Sequence, residues 1–301
     1  MLSELLLLRV VGGRSRPAGL LVLLLAAGCA TPQTDRLLAE PGDRPDWVEL
    51  LDVPFHPQER DQCGPASLAM VLEWGGLPVA PDTLRSQIFT PGRSGGLQSD
   101  IVAAARRHGT VAYPVSTLDE LLTELSSGHP VLVLQNLGLS WYARWHYAVA
   151  IGYDLPGRSI LLHTGRSARR RTGLELFERT WARGGHWAIA VLPPSRLPGS
   201  ASETRYLLAV AGLEQAGRPR EAELAYAAAL ERWPSSLGAW IGLGNSRYAQ
   251  GDLAGAEAAF REATLRHPSS AAAFHNLAEV LAELGRAEEA EAASRRERAL
   301  R

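Results

Sequence analysis

Apolar and polar positions follow two different patterns along the main part of the chain. Between residues 48 and 192, short strand-like and helix-like runs alternate, and one run, Ala66 to Leu72, is apolar on most sides. After Ala201 the composition changes to Ala, Glu and Leu without strand signals, which predicts helices. Pro and Gly residues between the two patterns interrupt regular structure. The sequence therefore predicts an α+β domain over residues 48–192, a linker over 193–201 and an all-α domain over 202–301.

The N-terminus carries a short apolar run, Ala18 to Ala27, with three arginines before it and small residues up to Cys29 after it. This order is typical of a secretory signal, and a run of about ten residues is too short to span a bilayer. The segment from Leu25 to Cys29 (Leu-Ala-Ala-Gly-Cys) resembles the lipobox of bacterial lipoproteins. The resemblance implies a signal peptide over 1–28 and lipidation of Cys29. An ordinary secreted protein is the alternative.

Two expectations about location follow from the lipobox. Ala30, in place of Asp, stands after the cysteine. By the resemblance, this favours an anchor in the outer membrane that faces the periplasm of the bacterial cell envelope. Residues 29–47 are polar and contain three prolines, which predicts a tether between the anchor and the first domain.

The last hundred residues repeat with a period of 34. Gly217, Gly251 and Gly285 are evenly spaced, and alanines, aromatics and prolines recur in the same register. Glycine turns, small contact residues and aromatics that fill the gaps indicate pairs of antiparallel helices. The pattern resembles the tetratricopeptide repeat, with matching positions at Trp240, Leu243, Gly244, Ala256, Phe260, Ala263 and Pro268. The resemblance implies a protein partner on the concave face of the repeats.

Cys63, the cysteine of the α+β domain, lies in a pattern that favours a nucleophile. Pro65 suits the first turn of a helix, and the apolar run after it predicts that this helix is buried. Cys63 then stands at a helix N-terminus, where the dipole and unbonded N–H groups favour a thiolate and lower the pKa of the thiol. On position alone, an inert buried cysteine fits equally well.

A nucleophilic cysteine requires a base, and His146 has the most suitable setting among the eight histidines. It opens the run from Trp145 to Tyr153, whose β-branched and aromatic residues predict a strand. A side chain at the end of a strand lies at the rim of the core, where it can reach a helix terminus. A core histidine is the alternative.

Together these segments resemble the papain-like cysteine peptidases, and within them the bacteriocin-processing, double-glycine peptidase-like group. The resemblance rests on Gln62-Cys63-Gly64-Pro65-Ala66, on Gly128-His129-Pro130-Val131-Leu132-Val133, and on His146-Tyr147-Ala148-Val149 with Gly152-Tyr153-Asp154. It implies an α+β papain-like fold in which the cysteine helix packs on an antiparallel sheet that carries the histidine. It also implies a thiolate on Cys63 that pairs with His146, which later protonates the leaving amine.

The resemblance implies an oxyanion hole with a glutamine upstream of the nucleophile. In the family this glutamine stands six residues before the cysteine. Gln58 stands five residues before Cys63, so a shifted loop has to place it. Gln62 is the alternative.

The resemblance also implies an Asp or Asn that orients the histidine from the next strand. The corresponding segment, residues 162–165, contains neither residue type. Thr164 can accept a hydrogen bond from the imidazole instead, although more weakly than a carboxylate. Asp154 and Asn136 are the other candidates, and Asp154 also fits the start of a turn.

Aromatic and basic residues lie near the predicted histidine strand. The aromatics are Trp141, Tyr142, Trp145 and Tyr147. They fit the wall of a substrate cleft and ordinary core packing equally well. Arg166 and the run 169–171 predict a solvated hairpin, with an anionic substrate or surface as the alternative.

Charge and composition reduce the number of function classes that fit this sequence. The 31 basic and 32 acidic residues leave a net charge of −1, which does not support a role in nucleic-acid binding. No cluster of metal ligands or phosphate-binding loop stands out, so we expect no metal or cofactor. The sequence thus predicts a lipid-anchored cysteine peptidase that hydrolyses peptide bonds, with repeats that recruit the substrate or a partner. A non-catalytic peptide-binding scaffold and an amide or acyl transferase are the alternatives.

Overall fold

The computed structural model describes residues 30–58, 62–88, 96–139 and 141–301. The predicted signal peptide (1–28) and the predicted lipidation site Cys29 lie outside the described residues. Within the described ranges, no helix combines the length and the apolar character that crossing a bilayer requires.

The part of the chain up to residue 192 mixes helices and strands, as predicted. Its helices are α1 (Pro32–Ala39), α2 (Cys63–Trp74), α3 (Pro81–Ile88), α4 (Gln98–Arg107), α5 (Leu118–Ser126) and α6 (Leu174–Ala182). Its strands are β1 (Trp47–Glu49), β2 (Val111–Val115), β3 (Val131–Asn136), β4 (Trp145–Asp154), β5 (Ser159–Thr164), β6 (Ser167–Gly173) and β7 (Ala188–Leu192). The strands form one antiparallel sheet in the order β2-β7-β3-β4-β5-β6, and β1 pairs with β4.

One end of this sheet carries His146, which the sequence predicts to be the base. Because the pairings are antiparallel, β2, β3 and β5 finish at the end where β4, β6 and β7 begin. His146 is the second residue of β4 and pairs with Gln135 of β3. We call this end of the strands the His146 end of the sheet.

Both faces of the sheet are covered, because successive residues of a strand point to opposite sides. Tyr147 and Val149 of β4 belong to the buried cluster that contains the apolar residues of α2. Ala148 and Ala150 belong to the second cluster, which contains the apolar residues of α5 and α6. The predicted packing of the cysteine helix on the histidine-bearing sheet is therefore confirmed.

The prediction of a tether over residues 29–47 is wrong for residues 32–39, which form helix α1. The Glu178 carboxylate accepts the backbone N–H groups of Gln33 (3.0 Å) and Thr34 (2.7 Å) in the first turn of α1. Leu37 is buried in the core of the α+β domain. The polar exposed face of α1 concealed this packing, because the carboxylate that caps the helix lies 144 residues further along the chain.

The all-α part contains three helix pairs, which confirms the period of 34. The helices are α7 (Glu203–Gln215), α8 (Pro219–Arg232), α9 (Leu237–Ala249), α10 (Leu253–Arg266), α11 (Ala271–Glu283) and α12 (Ala287–Leu300). Gly217, Gly251 and Gly285 lie at the turn inside each pair with φ values of 68°, 78° and 75°. Glycine recurs there because other residues pay a steric penalty at positive φ.

The prediction of a linker over residues 193–201 requires a correction, because this segment is fixed to the α+β domain. The buried Glu124 carboxylate accepts the backbone N–H groups of Gly199 (3.1 Å) and Ser200 (2.8 Å) and the Ser200 hydroxyl (2.6 Å). Tyr206 and Val210 of α7 share one apolar core with β2. Pro and Gly interrupt helices and strands, but they do not by themselves make a segment flexible.

Candidate active site

The start of α2 holds Cys63 in a rigid setting. Cys63 is the first residue of the helix, and every residue from Gly64 to Leu72 is buried. Cys63 itself is half-buried, so its thiol lies at the edge of the core. A buried, apolar helix cannot shift or rotate without exposing its side chains, and it therefore fixes the position of the sulfur.

His146 forms a hydrogen bond with Thr164. The imidazole Nε2 lies 2.7 Å from the Thr164 hydroxyl, which is carried by the last residue of β5. This is the contact that the sequence analysis attributed to Thr164. With Nε2 engaged, Nδ1 is the ring nitrogen that remains to exchange a proton with a nucleophile.

Cys63 and His146 are 83 positions apart in sequence, and the residue after each takes part in the packing of α2 on β4. Gly64 follows the cysteine, and Tyr147 follows the histidine. A Cβ atom placed on Gly64 would lie 3.4 Å from Cδ2 of Tyr147, so the two following residues are in contact. The packing of α2 on β4 therefore places the start of the cysteine helix against Tyr147, and the pairing of Cys63 with His146 stays a prediction.

The electrostatic environment of His146 favours the neutral imidazole. Burial lowers the pKa of His146, and the positive charges of Arg170 and Arg144 lower it further. The pKa of the neighbouring Tyr147 phenol is raised by burial and then by the negative charges of Cys63 and Asp100. Because His146 holds its proton weakly, a resting imidazolium–thiolate pair, which the sequence analysis expects, is disfavoured.

Gln58 connects the cysteine helix to the turn that follows Thr164. Its side-chain amide donates to the Ser67 hydroxyl (3.0 Å), and its side-chain oxygen accepts the Gly165 N–H (3.0 Å). The backbone N–H of Gln58 donates to the Gly165 carbonyl (2.8 Å). Gln58 is thus buried one helical turn from Cys63, despite its shifted spacing. The alternative residue, Gln62, precedes the helix and makes no capping bond with its side chain.

The other two candidates for the orienting group have different partners. The Asn136 side-chain oxygen accepts the N–H groups of Gly138 (2.9 Å) and Arg144 (2.8 Å), so it organises the loop between β3 and β4. Asp154 accepts the Gly157 N–H (2.8 Å) and forms an ion pair with Arg171 (2.7 Å). Thr164 is therefore the candidate that the structure places on His146.

Two other histidines of the domain have structural partners. His163 Nδ1 accepts the Arg169 N–H (3.2 Å), so Nε2 carries the proton and donates to the Val53 carbonyl (3.1 Å). His129 Nδ1 bonds to the buried Glu124 carboxylate (2.8 Å). In the described part of the chain, no group of three His, Cys, Asp or Glu side chains is placed to hold a metal ion.

The aromatic residues before β4 divide into two groups. Tyr147 is buried, so core packing is correct for this residue. Trp141, Tyr142 and Trp145 are exposed, so core packing is wrong for them. The three exposed rings lie just before β4 and at its first residue, and we call the described residues 137–139 and 141–145 the aromatic loop.

Sequence reasoning missed the contribution of Ser67, Arg144 and Arg170 to this region. Ser67 is a polar residue in an otherwise apolar helix, four positions after Cys63, and this spacing places both residues on one face. That pattern was a usable signal. Arg144 was also a usable signal, because it stands two residues before His146, whereas Arg170 carried none, because it lies on a different strand of the sheet.

Comparisons with known proteins agree with the fold. The Peptidase_C39 like family matches residues 50–189, and the tetratricopeptide repeat family matches residues 207–263 and 241–300. A search of curated proteins gives no significant match.

Several solved structures are similar to the α+β part. A C39-like peptidase from Bacillus anthracis is 22% identical over 48% of this chain and 97% of its own, with a TM-score of 0.42. The peptidase domain of Streptococcus ComA, a bi-functional ABC transporter of a quorum-sensing pathway, is 24% identical over 47% and 98%, with a TM-score of 0.40. A double-glycine motif protease from an AMS/PCAT transporter, in complex with its leader peptide, is 21% identical over 48% and 93%, with a TM-score of 0.37.

The family match begins and ends inside the α+β domain, and the repeat match falls on the three helix pairs. Residues 50–189 therefore form a domain of the Peptidase_C39-like family, and the helices after it are tetratricopeptide repeats.

Proposed function

We propose that this protein is a lipid-anchored cysteine peptidase that hydrolyses peptide bonds, with Cys63 as nucleophile and His146 as general base. The observation that carries the proposal is the 2.7 Å hydrogen bond between His146 Nε2 and Thr164. It restrains the ring of His146, and Tyr147, the next residue, packs against the start of the Cys63 helix, which supports a pairing of the two side chains. A base held in one orientation next to a helix N-terminus is the arrangement that thiol peptidases require.

The reaction follows from the protonation states. The neutral His146 takes the thiol proton on Nδ1 as Cys63 Sγ attacks the peptide carbonyl carbon. The imidazolium then donates this proton to the leaving amine, the C–N bond breaks, and a thioester to Cys63 remains. A water molecule gives a proton to Nδ1 as its oxygen attacks the thioester carbon. The C–S bond breaks, the acid is released, and the imidazolium returns the proton to the Cys63 sulfur. Thr164 accepts the Nε2 hydrogen throughout and stabilises the imidazolium.

The oxyanion of each tetrahedral intermediate has to be stabilised by hydrogen-bond donors. The backbone N–H of Cys63 belongs to the first residue of α2, where the helix dipole favours negative charge. Gln58 supplies a side-chain amide one turn away, and Ser67 accepts one of its two N–H groups. We assign the oxyanion hole to the Cys63 N–H and Gln58.

Arg144 and Arg170 serve the same chemistry. Both lower the pKa of His146, so the imidazole is available as a base at neutral pH. Positive charge also favours the thiolate and the oxyanion over their neutral forms. The two arginines and the absence of a carboxylate partner thus act in the same direction, because both keep the resting imidazole neutral.

The remaining parts of the chain suit an envelope protein. We assign Cys29 as the lipidation site and the outer membrane, facing the periplasm, as the location. The tetratricopeptide repeats would recruit the protein substrate or a partner on their concave face.

The test is the reactivity of Cys63 as a function of pH. In a chain of residues 30–301, Cys63 is the single cysteine. We expect alkylation by iodoacetamide at pH 6.5 to be faster than that of an ordinary thiol, which with a pKa of about 8.5 is only about 1% ionised, because the neutral imidazole accepts the thiol proton as the sulfur reacts. His146→Ala should lower this rate at least about tenfold, and Cys63→Ala should abolish peptide hydrolysis. The matched control is His267→Ala, because His267 lies in the repeats and bonds to the Ser235 carbonyl.

The rival function is a non-catalytic peptide-binding scaffold, which the hydroxyl in place of a carboxylate favours. Under this alternative, Cys63 reacts like an ordinary thiol and His146→Ala leaves its pH profile unchanged. A peptide-library assay would then detect binding without cleavage. That combination of results would replace the peptidase proposal with the scaffold.

A further inference from the structure

The aromatic loop exposes large apolar side chains next to the candidate site. Trp141, Tyr142 and Trp145 are 81%, 67% and 58% exposed, and Leu137 and Leu139 are about half exposed. Apolar residues concentrated in one exposed loop indicate contact with another surface rather than with water. The base of the loop is held by Asn136, so these rings project from a fixed point.

The loop lies at the end of the domain where the chain arrives from Cys29. The side-chain oxygen of Gln33, in the first turn of α1, accepts the N–H of Leu118 at 2.6 Å. Leu118 begins α5, three residues after β2 finishes at the His146 end of the sheet. The described chain begins at Ala30, three residues before Gln33, which allows a separation of at most about 11 Å between these two residues.

Helix α6 contacts both the start of α1 and the base of the aromatic loop. Its residue Glu178 binds the first turn of α1, as described above. Further along α6, Thr180 accepts a hydrogen bond from Gln135 (2.6 Å), and the Arg183 guanidinium after the helix donates to the Asn136 carbonyl (3.1 Å). Five residues of helix correspond to about 7.5 Å, so the start of α1 and the base of the aromatic loop lie on neighbouring turns.

Positive charge borders the aromatic loop. Arg144 lies in the loop, and Arg170 lies on β6; both act on His146. Trp and Tyr rings with arginine beside them are the side chains that occupy the interface between lipid and water, where arginine meets anionic headgroups. The combination of exposed rings and adjacent positive charge matches an anionic lipid surface.

We propose that the aromatic loop inserts into the membrane interface and holds the His146 end of the domain against the bilayer. This proposal deepens the proposed function and rests on its anchor at Cys29. Because α1 is docked rather than free, the anchor keeps the domain at the membrane and does not let it swing away. The candidate site would then act on peptide segments that lie at the bilayer surface.

The test measures vesicle binding without the anchor. The chain of residues 30–301 keeps every described residue and lacks the lipidation site. We expect this chain to sediment with vesicles of phosphatidylethanolamine and phosphatidylglycerol (about 3:1). We also expect its Trp fluorescence to shift to the blue when these vesicles are added. We expect weaker binding to pure phosphatidylcholine and at high salt, because arginine near an anionic surface contributes through screened charge.

Two variants locate the contact. Trp141→Ala combined with Tyr142→Ala should weaken vesicle binding about tenfold or more, because each substitution removes apolar surface that the ring would transfer from water into the membrane. The matched control is Trp47→Ala. Trp47 is also half exposed, but it pairs with Asp154 at the opposite end of β4, about 30 Å from Trp145. This control should bind vesicles like the parent chain.

The outcomes separate this proposal from the proposed function. Unchanged Cys63 alkylation in the double variant shows that the fold and the site are intact. Vesicle binding that the double variant does not weaken, or no binding by the parent chain, overturns the membrane contact. Loss of hydrolysis of a soluble peptide with vesicle binding retained would identify the loop as a substrate wall, which also overturns it. Failure of lipid labelling at Cys29 or of thiol reactivity refutes the anchor or the peptidase separately.

Discussion

The buried Glu124 carboxylate should hold the peptidase-like domain and the repeats together as one folding unit. One of its oxygens accepts the Ser200 N–H and hydroxyl, and the other accepts the Gly199 N–H and the His129 Nδ1 bond. Glu124→Gln keeps the size of the side chain but turns one oxygen into an amide that cannot accept. Two donors are then left buried without an acceptor, and the two remaining bonds lose the assistance of charge.

The expected cost follows from these contacts. A hydrogen bond to a charged group contributes about 1.5–3 kcal/mol, and a buried donor left without an acceptor costs about 1–3 kcal/mol. We therefore expect the free energy of unfolding to fall by about 4 kcal/mol for Glu124→Gln. For a chain of this size, that loss corresponds to a Tm lower by about 10 °C.

The assay combines thermal unfolding with limited proteolysis. Circular dichroism measures the Tm, and protease cleavage within residues 193–201 measures opening of the junction. The matched control is Glu262→Gln, which removes a partly exposed ion pair with Arg266 (3.1 Å) and should cost less than about 1 kcal/mol. A Glu124→Gln variant as stable as the control, with a junction no more sensitive to protease, would refute this reasoning.

The same carboxylate makes the junction sensitive to acid. Burial by itself would raise the pKa of Glu124, but the hydrogen bonds from His129 and Ser200 outweigh it and lower the pKa below the usual 4.5. A group whose pKa is lower in the folded state stabilises the fold above its unfolded pKa. This contribution disappears as the pH falls below about 4.5 and through the folded pKa. The stability difference between the parent chain and Glu124→Gln should therefore shrink in that range.

Three further predictions concern the site and the anchor. Thr164→Val removes the hydroxyl that His146 bonds, and we expect kcat/KM for peptide hydrolysis to fall about tenfold, with recovery in Thr164→Ser; an unchanged rate would exclude Thr164 as the orienting group. Arg170→Ala removes a charge that lowers the pKa of His146, so the acidic limb of the kcat/KM profile should move to higher pH, whereas Arg171→Ala, whose side chain pairs with Asp154, should leave it in place. A shift to lower pH would contradict the electrostatic account. Labelled fatty acid should enter the chain at Cys29, and equal labelling of Cys29→Ala would refute the lipid anchor.

Local patterns in the sequence predicted the elements on which the site is built. The period of 34 identified the helix pairs, and the positive φ at Gly217 and its equivalents explains why the repeat shows glycine. The apolar run after Pro65 placed Cys63 at the start of a buried helix, and the β-branched run after His146 placed the histidine on a strand. These features depend on residues a few positions apart, so their physical cause is visible in the sequence itself.

The tertiary structure alone decided how those elements meet. The segment predicted as a tether is docked because Glu178 caps α1 from 144 residues away, and the segment predicted as a linker is fixed because Glu124 binds Ser200 from 76 residues away. The exposure of Trp141 and the action of Arg170 on His146 likewise arise from strand pairing. Hydrogen bonds and charges between distant positions leave no periodic signal in the sequence. Their partners become identifiable only when the sheet has brought the strands side by side.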